Sequence, residues 1–179
     1  TEINPAGVKA NTGLYTGWVP PGLAADLNND ARIRISQKAP LNANVVNTGG
    51  GVVFKIKPLI TVIAPAGGES WLVGTSQNVT FTKKGAITSV DVYYSYDGTA
   101  PNYVKQNGLA IDTVNVVGVP TLISALADNT AGTWSWAIPT SATLSVGQAG
   151  KVKVMVNAPA TQNTAEGIQA GTIQVKGTI

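Results

Sequence analysis

The chain has 179 residues, of which 44% are hydrophobic and 12% charged, enough apolar material for one large cored domain or two small ones and too much for a disordered polymer. It contains no cysteine and no histidine, which excludes disulfides and thiolate metal sites and removes the strongest nucleophile and the commonest general base. The net charge of +3 is scattered and aromatics are only 6%, unlike the clustered basic and ring-bearing surfaces that bind nucleic acid, and no run approaches the roughly 20 apolar residues of a membrane span.

In chain order, the first segment carries Ile3, Val8 and Leu14, which could form a strand donated to a neighbouring molecule. Asp26, Asn28 and Asp30 follow, with oxygen ligands at alternate positions like the start of a calcium loop. The calcium pattern then breaks, because Ala31 stands where glycine is wanted and Gln37 where a closing glutamate should be. Residues 31–36 alternate polar and apolar side chains, the period of a half-buried strand, and residues 53–57 do the same. Strands are likewise expected at 78–82, 89–96 and 151–156.

Between them lie Gly49-Gly50-Gly51, Gly67-Gly68, Lys84-Gly85, Asp97-Gly98 and Asn107-Gly108, residues that supply the positive φ angles of tight turns. An apolar stretch at 109–123, with Ile111, Val114 and Val116, reads as an added hairpin or a contact surface. The one helix-tolerant stretch, 120–128, has too few turns to matter. Short strands with frequent turns predict an all-β sandwich or barrel.

An internal repeat runs through this pattern. The segment from Gly13 to Pro20, containing Trp18, aligns with the segment from Gly132 to Pro139, at an offset of 119. Without a gap the same offset sets Arg32-Ile33-Arg34-Ile35 on Lys151-Val152-Lys153-Val154, and Phe54-Lys55-Ile56-Lys57 on Ile173-Gln174-Val175-Lys176. Holding one register matters in a strand, since a slip of one residue inverts every face. Residues 59–179 thus make one whole unit, whereas 1–58 match only the second half of a unit. The chain is then a piece of a longer array, or a subunit whose N-terminal half is completed from outside.

The whole unit opens with Pro65-Ala66-Gly67-Gly68-Glu69-Ser70-Trp71-Leu72-Val73-Gly74 and continues with Gln77-Asn78-Val79-Thr80-Phe81, the Asp97-Gly98 turn, and Gly132 to Pro139 with Trp134 and Trp136. This resembles the immunoglobulin-like repeats with a P-x-G-G-E-x-W-x-x-G signature that occur in tandem in large microbial surface proteins. It is also similar to the N-terminal domain of fungal Ser/Thr-rich cell-wall proteins. The resemblance implies tandem immunoglobulin-like β-sandwiches, the first incomplete, and an extracellular or cell-surface location. Beside it, the residues themselves suggest turns at Gly67, Gly68 and Gly74, core anchors at Trp71, Trp134 and Trp136, and a backbone-bonding role for Glu69.

For function, the carboxylates Glu69, Asp91, Asp97, Asp112, Asp128 and Glu166 fall on different strands and turns with no catalytic motif, so a non-enzyme is expected. Low charge and apolar β segments suit a structural subunit that assembles with copies of itself by head-to-tail strand contacts into a filament, sheath or surface array. The alternative is a spacer or adhesive module of a larger secreted protein. Such a module could bind carbohydrate through Trp18, Tyr93, Tyr94, Tyr96 or Tyr103. No cofactor is called for beyond the calcium candidate, and Asn78-Val79-Thr80 is a glycosylation sequon.

Overall fold

The computed structural model describes residues 35–36, 46–47, 56–158 and 165–177. Strands β1 (Ile35–Ser36) and β2 (Val46–Asn47) pair antiparallel. The whole unit follows with β3 (Leu59–Ala64), β4 (Ser70–Leu72), β5 (Ser76–Lys84), β6 (Ser89–Ser95) and β7 (Val104–Lys105). Next come β8 (Thr113–Val116), β9 (Val119–Leu122), β10 (Ala131–Ala137), β11 (Lys151–Ala158), β12 (Glu166–Ile168) and β13 (Gln174–Lys176). Among the described residues the only helix is a single 3-10 turn at Ile123–Ala125, within the stretch that tolerates one, so the fold is all-β. Of the strand expected at 53–57, only Ile56 and Lys57 are described, and neither is in a strand.

Two main sheets form a sandwich-like arrangement. One has the order β3-β5-β10-β8-β9 and the other β12-β11-β6-β7, and β13 and β4 make a parallel pair beside them. The alternation in sequence explains how both sheets share one core. Val79 and Phe81 of β5, Val90, Val92 and Tyr94 of β6, and Val152, Val154 and Val156 of β11 all point inward and are buried. Each such side chain contributes about 1.5–3 kcal/mol of burial free energy. Gly167 of β12 brings the seam between the sheets together, because a Cβ there would lie 2.5 Å from the Ile60 carbonyl oxygen of β3.

The apolar stretch after Leu109 is a hairpin, β8 with β9, closed by Val117-Gly118 at φ 49° and 84°. Two positive φ angles suit a tight hairpin turn, but a β-branched residue is strained there. Ile111 and Val114, read above as candidate assembly contacts, lie beside and in this hairpin. Both are buried in the core of their own chain, and Val116 packs partly against it. Val117 at 100% exposure, Val119 and Leu122 are the apolar groups the hairpin leaves outside.

Candidate functional site

Two constellations stand out in the described residues. The first gathers the Pro65–Gly74 motif and the tryptophans. Glu69 Oε1 accepts the Ala66 N–H at 2.8 Å and Oε2 the Gly67 N–H at 2.7 Å, so the carboxylate folds the Gly-Gly loop back on itself. Gly67, at φ 129°, sits so close to Gly171 that a Cβ would meet its Cα at 2.8 Å, and Gly68 N–H donates to the Thr172 carbonyl. The loop is thereby fastened to the chain entering β13. Gly74, at φ 79°, donates its N–H to the Ile138 carbonyl, next to Pro139.

Trp71 and Trp136 meet edge-on with centroids 6.0 Å apart, and Tyr94 lies 5.4 Å from Trp136. These rings fill the core, and Trp136 is 1% exposed. Its Nε1 and the Tyr94 hydroxyl have no hydrogen-bond partner. Burial pushes the Tyr94 hydroxyl up to about 12. Trp134 is half-buried at the margin of the same core, and Pro65 is buried while Pro139 is exposed. This arrangement holds strands together.

The second constellation lies on the outer face of the sheet β12-β11-β6-β7. Asp91, 4% exposed, accepts Lys105 Nζ at 2.9 Å and Asn107 Nδ2 at 2.8 Å on Oδ1, and Asn157 Nδ2 at 2.9 Å on Oδ2. Burial alone would raise its carboxyl, but the donors from Lys105, Asn107 and Asn157 together hold it below the usual range. Asn107 also accepts the Val92 N–H and donates to the Leu109 carbonyl. One carboxylate therefore ties β6, β7, the turn after β7, and β11.

Beside it, Lys153 Nζ lies 5.2 Å from the Tyr93 ring centroid, 4.7 Å from that of Tyr103, and 3.1 Å from Glu166 Oε2. Burial, then the charges of Glu166 and Asp97, raise the Tyr103 hydroxyl. Tyr93 and Tyr103 are the half-buried tyrosines of this face, whereas Tyr94 faces the core.

Sequence reading treats Asp91 and Asn107 singly, as a strand acid and a turn residue. Their meeting, and that with Asn157, depends on β6 lying between β7 and β11. Among the described residues no three of Asp and Glu gather as a metal site would require. The calcium candidates Asp26, Asn28 and Asp30, the donated-strand residues Ile3, Val8 and Leu14, and Trp18 lie outside the described residues.

No family model and no curated protein matches this chain. The functional reading therefore rests on its own residues and geometry. The described charged and aromatic side chains of both constellations are engaged in holding the sheets in place.

Proposed function

We propose that this chain is a non-enzymatic structural subunit of an extracellular filament, sheath or surface array, assembled from copies of itself through β-strand contacts. The strand order supports an immunoglobulin-like sandwich for residues 59–179. One sheet runs β3-β5-β10-β8, in the A-B-E-D manner, with β9 added at its edge, and the other β12-β11-β6, in the G-F-C manner, with β7 added at its edge.

The observation that carries the reading is the pairing of β1 with β2. The offset of 119 carries Ile35-Ser36 onto Val154-Met155 of β11, and Val46-Asn47 onto Ala165 and Glu166, at the start of β12. β11 and β12 pair antiparallel, and so do β1 and β2, but the registers differ by one residue, so the likeness lies in the strand pairing and not in its register. This supports reading 1–58 as the second half of a unit. Open strand edges on such units are templates for pairing with a neighbouring molecule.

Sedimentation velocity of the full chain over a wide concentration range tests the proposal. Open-ended growth with concentration is expected, because a head-to-tail contact does not close. A single monomer peak at every concentration refutes it.

A second reading, a spacer or adhesive module that binds carbohydrate, is favoured by Tyr93 and Tyr103 on the outer sheet face. A sugar that raises the melting temperature in wild type but not in Tyr103→Ala supports it. No shift with any sugar tried at high concentration counts against it.

A further inference from the structure

We propose that the open edge of β10 at Ser135 and Ala137 is a strand-acceptor groove, and that its occupant is the segment around Val8–Thr12 of a second copy of this chain. The inference rests on the assembly reading above and names the contact that builds it.

β8 pairs with β10 only at Thr133↔Asn115. Continued in register, the chain through Thr113 and back to Ile111 would lie beside Ser135 and Ala137. Instead it crosses to the other sheet, where Ile111 exchanges hydrogen bonds of 2.9 Å with Val90. The departure leaves an open groove of about 420 Å³ between β10 and residues 106–113, with Trp134 and Trp136 in its lining and the apolar Leu109, 89% exposed, beside them.

The direction of the backbone groups follows from alternation along a strand. Ile138 donates to the Thr75 carbonyl and accepts the Gly74 N–H on the β5 side. The N–H and C=O groups of Ser135 and Ala137 therefore face the other way, into the groove. They offer up to four ladder bonds to an added strand, with none of the usual protection of a free edge. The outer edge of β9 differs. There Pro120 pairs opposite Asn115 at a position whose N–H would face outward, and proline supplies none, which blunts that edge.

The segment matches the groove in pattern and in charge. Val8-Lys9-Ala10-Asn11-Thr12 alternates small or apolar with polar residues, so one face of an added strand would present Val8, Ala10 and Thr12 to the Trp134 and Trp136 side of this open, mixed polar and apolar groove. The lining carries a single charged residue, the exposed Asp112, and the segment a single charge of opposite sign, Lys9. Four main-chain bonds alone give weak association. Multiplied along a chain of subunits, each both donor and acceptor, they give open-ended growth.

The 179-residue chain, free of cysteine, makes the test direct. Asn11→Cys protein mixed with Ser135→Cys or with Ala137→Cys protein is expected to form an interchain disulfide under oxidation, since residues on the same face of paired strands bring Cβ atoms within bonding reach. Ala137→Pro removes an N–H that the β5 ladder does not use. It is expected to keep the far-UV spectrum while raising the concentration needed for assembly by about tenfold, the loss of one or two backbone bonds.

Wild-type chains that assemble, with no such crosslink and no effect of a folded Ala137→Pro, overturn the inference and leave the assembly reading standing. A chain carrying both Asn11→Cys and Ala137→Cys that crosslinks only within itself also overturns it, in favour of insertion within one molecule. Wild-type chains that stay monomeric at every concentration overturn both.

Discussion

Replacing Asp91 by asparagine tests whether one carboxylate holds the four-stranded sheet together. Its oxygens accept three donors at 2.8–2.9 Å, and asparagine would keep one acceptor while turning an amide N–H toward donors. Hydrogen bonds to a charged group contribute about 1.5–3 kcal/mol each, and breaking a fully buried ion pair costs about 3–5 kcal/mol. Lys105 is 34% exposed and regains water when the charge is lost, so its part shrinks toward surface values. Asn107 and the buried carboxylate position carry the remainder, giving a net loss of about 2–3 kcal/mol and a Tm lower by about 8–12 °C for a domain of this size.

The pH dependence has a definite sign. The folded Asp91 carboxyl lies below its usual range, so its stabilisation is present above the unfolded value of about 3.9 and is lost as pH falls through the folded one. Asp91→Asn should therefore flatten the acid limb of stability against pH. A residual limb remains from Asp97, which the Thr99 N–H above all holds at about 2. Urea unfolding of both proteins between pH 2 and 7 measures this. An Asp91→Asn protein within about 0.5 kcal/mol of wild type, the range of neutral surface changes, with an unchanged acid limb, would refute the reasoning.

Three further outcomes are expected. Because the folded Tyr94 hydroxyl is raised to about 12, stability is intact below pH 10 and falls by about 2–3 kcal/mol as pH rises toward 12. Alkaline unfolding should show Tyr94→Phe free of that part and no less stable at neutral pH, since the hydroxyl has no partner. Gly167→Ala, whose Cβ would meet the Ile60 carbonyl oxygen, should cost about 1–3 kcal/mol by forcing the seam apart, read by thermal melting. Glu69→Ala should cost about 1–2 kcal/mol, the worth of a lost side-chain cap on two N–H groups, again by thermal melting, while Glu69→Gln retains part of it.

The strands at 78–82, 89–96 and 151–156 were legible because strict alternation marks a half-buried strand; β5 and β11 cover the first and last, and β6 covers all of the second but Tyr96. The burial of Ile111 and Val114 was not legible. The same apolar run fits a core hairpin or an exposed surface, and the choice depends on where the chain switches sheets between Ile111 and Thr113, a long-range matter. The Asp91 cluster was hidden for the same reason: its partner Asn157 is 66 residues away, and nothing local marks the pair. Trp71 and Trp136, both prominent in sequence, do meet in the core. The groove beside β10 leaves no trace in sequence, since it arises from a strand that fails to continue.

Negative-stain electron microscopy of the purified full chain, alone and across concentration and salt, tests the structural-subunit proposal most directly. The account predicts regular fibres that lengthen with concentration, built without any second protein. Dispersed particles of uniform monomer size under every condition would contradict it.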